Sequence, residues 1–262
     1  MHSDFYFEFK LVVVAIVCVL LMLACSEAGF RVGNRARPSV DEVMRERITI
    51  FESAILGVLG LLMGFTMAMA VARFDVRRQL VMDEANAIDT TWLRSKMLPA
   101  PGNTEFAGIL REYVDARLLY ASEMDDNRLP AEREEGERLQ HELWSRASAF
   151  AMSDQRSVPA GLLLQSLNQM IDLEAARWTA FMAHVPESVM YGNLALALLS
   201  ITLLGYGFGL IGRRHMFSTV LLAIAISGVL MVIADLDRPR EGFIKISQQP
   251  MIDVEKLIDK SH

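Results

Sequence analysis

The chain has 262 residues, of which 52% are hydrophobic and 22% are charged, and its formal net charge at neutral pH is −6. This apolar content exceeds what one soluble core needs, which excludes an ordinary soluble enzyme. The basic residues do not cluster with interleaved aromatic residues, which excludes nucleic acid as a partner. Both cysteines, Cys18 and Cys25, lie in one apolar run, so neither a disulfide framework nor a cysteine metal site is expected.

Four apolar runs contain no Asp, Glu, Lys, Arg or His. The runs are Leu11–Ser26, Ser53–Ala72, Val189–Gly212 and Met216–Ala234. Because about 20 helical residues at 1.5 Å each cross the hydrocarbon layer, the runs predict four transmembrane helices in a lipid bilayer. The first run is short, but the acidic residues Asp4 and Glu8 before it make a poor signal-peptide start, so we expect a retained span.

These runs divide the chain into regions. We expect a first transmembrane hairpin over 1–73, with spans at about 8–28 and 50–73 joined by a basic connector over 27–50, an extramembrane helical domain over 74–187, a second hairpin over 188–236, and a C-terminal tail over 237–262 that docks on the helical domain. Between Arg73 and Glu187, 13 Arg and Lys residues stand against 19 Asp and Glu residues, so the helical domain carries the net negative charge.

The helical domain shows four stretches with apolar residues at helical spacing and no alternating pattern typical of a strand. We expect breaks at Pro99–Asn103 and near Ser153–Pro159, and Pro130 is expected to open a helix. The predicted fold class is therefore all-α, with four transmembrane helices and a helical bundle inserted between the second and third spans.

Glycines recur at three- and four-residue steps in two of the spans. They are Gly57, Gly60 and Gly64 in the second run, and Gly205 and Gly209 in the third. Small residues let helix backbones approach closely, so the pattern predicts helix packing. The Gly-Tyr-Gly beginning at Gly205 matches a potassium filter, but a filter is unwound and this run is continuous. Glu52, near the start of the second span, could be a solvated interfacial residue or a functional one.

No constellation of residues points to catalysis. His141-Glu142 lacks the second histidine of a zinc protease, and we find no serine elbow, phosphate loop or paired His/Cys set. We therefore expect no enzyme and no cofactor. Asp83 and Glu84 follow Arg77 and Arg78 at helical spacing, which predicts ion pairs along one helix or an interhelical network.

The run Gly64–Phe74 resembles the pore helix of bestrophin anion channels, which carry Gly-Phe, then apolar residues, then Arg followed by an aromatic residue. In that family the Phe and an apolar residue one turn earlier form a hydrophobic neck. The resemblance assigns this neck to Phe65 and Leu61. One turn further back the family has another bulky residue where this chain has Gly57, so a third ring is not implied.

A wider resemblance, to the bestrophin-like membrane family of unknown function, covers nearly the whole chain. It rests on Gly64-Phe65, Arg77–Val81, Asp83–Ile88 and Leu236–Pro250. The resemblance implies a bestrophin-like fold and a homo-oligomer, with a pentamer as the suggested ring, in a bacterial inner membrane. Bestrophins bind calcium at an acidic cluster after the last span, whereas this chain has only Asp235 and Asp237 there, which are weak metal candidates.

Two functions stay open. In the first, subunits form an anion channel around the second span, since four thin spans cannot enclose a wide pore alone. The acidic helical domain would repel anions, so Arg73, Arg77 and Arg78 would have to line a vestibule that attracts them. In the second, the spans anchor a sensor or scaffold whose helical domain binds a ligand or partner. Basic residues near the span ends are nearly balanced, so the orientation in the membrane also stays open.

Overall fold

A computed structural model describes residues 2–122, 128–238 and 242–260, with side chains from Leu11 onward except that of Ser122. These residues form eight α-helices and one short 3₁₀ turn, and they contain no β-strand. The helices are α1 (His2–Ala36), α2 (Glu42–Ser95), α3 (Gly102–Ser122), α4 (Leu129–Ser153), α5 (Val158–Met182), α6 (Glu187–Ile211), α7 (Met216–Asp237) and α8 (Gln249–Asp259). The all-α prediction is confirmed. Residues 239–241 of the tail motif lie outside the described residues.

Four stretches of the described helices are long and apolar enough to cross a membrane. They are Leu11–Ser39, Glu42–Ser95, Val158–Ile211 and Met216–Asp237, the third of which contains α5 and α6. Each stretch covers all or nearly all of one of the four uncharged runs of the sequence. The protein is therefore an integral, multi-pass membrane protein, as predicted.

The basic connector predicted between the first two spans is mostly helical. Helix α1 continues to Ala36, and only the 3₁₀ turn Arg37–Ser39 and two further residues precede α2. Asp41 caps α2, because its carboxylate accepts a hydrogen bond of 2.8 Å from the backbone N–H of Met44. The basic residues before the second span thus belong mostly to helices, not to a loop.

The chain forms two compact units. We call residues 1–72 and 184–244 the membrane unit, and residues 73–183 and 245–262 the helical unit. Helix α2 contributes to both, because it continues through residues 72 and 73 without a break. The tail joins the helical unit from Lys245, whereas the predicted boundary was residue 237.

The core of the membrane unit draws on α1, α2, α6 and α7. It consists of Met22, Leu59, Met63, Ala197, Ile201, Ala223, Ile226 and Leu230. Half of these residues are methionine or alanine, and all of them pack within the unit, while many large apolar side chains point outward. Outward apolar side chains are expected where lipid or another subunit covers the surface.

The core of the helical unit is larger and contains aromatic residues. Phe106 and Tyr113 of α3 are fully buried, together with Leu139 and Leu143 of α4 and Leu167 of α5. The amphipathic helix α8 belongs to the same core. Its buried face consists of Met251, Val254 and Ile258, which recur at helical spacing.

Candidate functional site

The second span has one buried face and one exposed apolar face. Leu59 and Met63 are buried in the core of the membrane unit. Leu61 and Phe65, one helical turn apart, keep 58% and 63% of their surface exposed. The two candidate neck residues therefore share the face of α2 that points away from the core of its own subunit.

The glycines of the second span lie on a surface that no other described part of the same chain covers. A Cβ atom placed at Gly57, Gly60 or Gly64 would meet no heavy atom within 4 Å. No helix of the described chain packs against them, so their predicted packing role stays a prediction that requires a partner subunit.

Close helix packing instead joins α1 to α6. A Cβ at Gly205 would collide with the backbone of Ser26, and one at Gly209 with the backbone of Phe30. Gly29 and Gly33 on α1 approach the backbones of Thr202 and Tyr206 in the same way. Sequence reasoning missed Gly29 and Gly33, although their four-residue spacing matches that of Gly205 and Gly209.

The three arginines of the candidate vestibule differ in exposure. Arg73 is half-buried and Arg78 is exposed. Arg77 is buried, and its guanidinium donates hydrogen bonds to the backbone carbonyls of Ala180 (2.9 Å) and Ala183 (2.8 Å). These carbonyls have no helical partner near the end of α5, so Arg77 serves to cap that helix end.

The two weak metal candidates, Asp235 and Asp237, accept hydrogen bonds from backbone N–H groups. The carboxylate of Asp235 accepts hydrogen bonds from the N–H groups of Phe243 (2.9 Å) and Ile244 (3.0 Å). Asp237 accepts one of 2.9 Å from Val185 N–H and lies 3.3 Å from His184 Nδ1. No group of three or more His, Cys, Asp or Glu among the described residues could hold a metal ion.

A buried ionic network occupies the centre of the helical unit. Glu84 on α2 has no exposed surface, and it accepts hydrogen bonds from Arg117 Nε (2.8 Å) and the Tyr113 hydroxyl (3.1 Å), both on α3. Arg177 on α5 contacts the other carboxylate oxygen. Burial opposes ionisation, but the two guanidinium groups outweigh it and hold the pKa of Glu84 below its usual range.

The network reaches further helices and the tail. Gln140 on α4 donates to the Tyr113 hydroxyl at 3.2 Å, and Arg177 donates to Gln248 Oε1 at 3.3 Å. Gln248 begins the Gln-Gln-Pro motif, whose Pro250 lies in the first turn of α8. Of the two arrangements expected for Glu84, the interhelical network is confirmed, while Asp83 pairs along its own helix with Gln79 at 2.9 Å.

Comparisons with known proteins agree with this architecture. The model of the bestrophin-like domain matches residues 14–251. A crystal structure of a bacterial bestrophin homologue from Klebsiella pneumoniae is similar, with a TM-score of 0.70 and 15% identity, covering 94% of this chain and 97% of that chain. A single-substitution variant of that homologue gives a TM-score of 0.72 and 14% identity over the same shares of the chains. No curated protein matches the sequence. The chain belongs to the bestrophin-like family.

Proposed function

We propose that the protein is an oligomeric anion channel whose second span lines the axis of a ring of identical subunits. The observation that carries the proposal is the exposed apolar face of α2 at Leu61 and Phe65, opposite a face buried in the same subunit. In a ring, repeated copies of this face would form a narrow apolar neck. Apolar constrictions gate by dewetting.

Two of the three candidate vestibule arginines keep exposed surface beyond the neck, where their positive charge would favour anions over cations. Arg73, which directly follows the uncharged run of the second span, is half-buried, and Arg78, six residues after the end of that run, is exposed. Because Arg77 caps the end of α5, we assign the vestibule to Arg73 and Arg78. A ring multiplies these charges by the number of subunits and offsets the acidic helical domain.

The proposal includes a homo-oligomer, with a pentamer as the expected ring, in a bacterial inner membrane, and it assigns the protein no enzymatic reaction. The solved relatives named above are bacterial, which supports this location. Mass measurement of the purified protein in detergent tests the assembly, because a monomer would contradict the ring.

Chloride flux from liposomes containing the purified protein tests the neck. Phe65→Ala and Leu61→Ala should each raise the flux several-fold, because a smaller apolar side chain lets water wet the constriction. Phe217→Ala is the matched control, since Phe217 is an exposed phenylalanine of α7 in the same unit, and it should leave the flux unchanged. Absence of flux in every protein would favour the membrane-anchored sensor or scaffold.

A further inference from the structure

A cavity of about 270 Å³ lies in the membrane unit between the start of α2 and the end of α6. Polar residues of α2, Arg45, Thr49 and Glu52, line one side, and Leu204, Phe208 and Ile211 of α6 line the other. The cavity is thus an apolar pocket with a few charged groups, which is the usual form of a small-molecule site.

Glu52 is the first of two ionisable groups in this cavity that have no charged partner among the described residues. Only 9% of its surface is exposed, and its Oε1 atom is buried without a hydrogen bond among the described residues. Gly207 makes room for it, because a Cβ atom at that position would collide with the carboxylate. Apart from an interaction with the backbone of Gly207, this buried carboxylate lacks a charged partner. Such burial is costly, so the site favours a cationic ligand group here.

Arg45 is the second group. Its Nε atom is buried and has no hydrogen bond among the described residues, while Nη2 makes only a long one of 3.4 Å to the carbonyl of Arg37. Arg45 and Glu52 do not form an ion pair with each other. Seven residues separate them, which is about 10.5 Å along the axis of one helix. The arrangement leaves a positive and a negative group at opposite ends of one cavity.

We propose that this cavity binds a small soluble zwitterion of the amino-acid type, with its ammonium on Glu52 and its carboxylate on Arg45. One such ligand supplies a partner to the buried carboxylate and to the half-buried guanidinium, and its methylene groups contact the apolar side formed by α6. The proposal is independent of conduction, because the site would bind its ligand in a channel or in an anchored sensor alike.

The order of the two charges separates a soluble zwitterion from a lipid headgroup. Glu52 directly precedes the uncharged run of the second span, whereas Arg45 lies two turns nearer its outer end. In an ethanolamine phospholipid the phosphate is nearer the hydrocarbon and the ammonium is outermost. A lipid anchored by its chains would therefore present its charges to Glu52 and Arg45 in the wrong order.

Isothermal titration of the full chain in phosphatidylcholine nanodiscs tests the proposal with glycine, β-alanine and ε-aminocaproate as probes. At least one should bind in a saturable manner. Propylamine and propionate each carry one of the two charges of β-alanine, and both should bind at least about tenfold more weakly than the best zwitterion. Saturable binding of propylamine at equal affinity, or of no zwitterion, would overturn the proposal.

Variants then locate the site. Glu52→Gln and Arg45→Gln keep the size of each side chain close to native, and each should weaken binding by at least about tenfold. Gly207→Ala should do the same by displacing the carboxylate. Glu46→Gln and Arg47→Gln are matched controls, because both residues are exposed on the same helix, and they should bind as the unaltered chain does.

Two results would contradict this location. Unchanged affinity in Glu52→Gln and Arg45→Gln, with each variant folded by circular dichroism, would place any binding elsewhere. Loss of zwitterion binding when ethanolamine lipid is added to the nanodiscs would assign the cavity to the lipid instead.

Discussion

The membrane unit and the helical unit both bury polar side chains, but they satisfy them differently. In the membrane unit the buried groups are mostly neutral and bond locally, as Thr66 does to the carbonyl of Leu62 (2.8 Å) and Ser200 to that of Leu196 (2.7 Å). In the helical unit half of the buried polar residues are charged, and some of them bond between helices, as Glu84 and Arg117 do. The membrane unit buries two acids, Asp235, which accepts hydrogen bonds from two backbone N–H groups, and Glu52, whose Oε1 atom has none among the described residues.

The two units also differ in how their helices pack. Glycines bring the backbones of α1 and α6 together in the membrane unit, whereas buried aromatic and leucine side chains fill the helical unit. Lipid offers no hydrophobic drive between helices, so contact between backbones has to provide the attraction. Water offers that drive, so large side chains and even a paired carboxylate are buried in the helical unit.

The largest expected effect is at the centre of the ionic network. Glu84→Gln removes the carboxylate shared by the buried Arg117 and the largely buried Arg177, and leaves Arg117, among the described carboxylates, only the longer contact of 3.5 Å to Glu174. We expect the free energy of unfolding of the helical unit to fall by about 3–5 kcal/mol. Intrinsic fluorescence during denaturant unfolding measures this unit selectively, because all three tryptophans, Trp92, Trp144 and Trp178, belong to it.

Glu135→Gln is the matched control for that experiment. Glu135 also pairs with an arginine, Arg138, at 2.6 Å, but about half of each side chain is exposed. Exposed ion pairs contribute little, so no measurable change is expected. Equal losses of stability in Glu84→Gln and Glu135→Gln would mean that burial does not distinguish the network around Glu84 from the exposed pair of Glu135 and Arg138.

A smaller effect is expected where α1 meets α6. Gly33→Ala introduces a methyl group against the backbone of Tyr206, which should destabilise the membrane unit by about 1–3 kcal/mol. Thermal unfolding in detergent, followed by far-UV circular dichroism, measures the change. Gly57→Ala is the control, because its methyl group meets no atom of the chain.

The Gly57 control also bears on assembly. A stable fold with a smaller assembly mass in Gly57→Ala would indicate that another subunit packs on this face of α2. If Gly57→Ala lost as much fold stability as Gly33→Ala, the glycines of α2 would not differ from those between α1 and α6, and this comparison would be contradicted.

A dependence of stability on pH also belongs to the helical unit. Because the pKa of Glu84 is lowered in the folded protein, its ionised form contributes stability that is fully present above the unfolded pKa of about 4.3. This contribution is lost as pH falls from that value through the folded pKa. The loss is on the order of 1 kcal/mol for each pH unit by which folding lowers the pKa of Glu84. Tryptophan fluorescence should show an acid-side decrease in stability that is reduced in Glu84→Gln.

The sequence predicted the elements well because their signals are local. Uncharged runs of the length of a bilayer define spans, and Pro130 and Pro159 lie in the first turns of α4 and α5. The apolar runs alone did not predict how far the helices continue into the basic connector, where α1 ends at Ala36 and α2 begins at Glu42. Arg is a good helix former, so charged helix ends extend beyond the apolar run.

The partners of buried side chains were not predictable in the same way. Glu84 has arginines seven and six residues before it, yet it pairs with Arg117, 33 residues away in the sequence. One signal was present, because Arg117 follows Tyr113 by one turn on the apolar face of α3. A charged residue in an apolar stripe predicts a buried partner without saying which residue provides it.

Helix α2 has one further property that follows from its composition. From Phe65 to Ser95 it contains neither glycine nor proline, the residues at which helices most often kink. The sequence of α2 therefore offers none of the usual kink residues between Phe65 and the end of the helix, and no hinge of that kind is expected in this stretch.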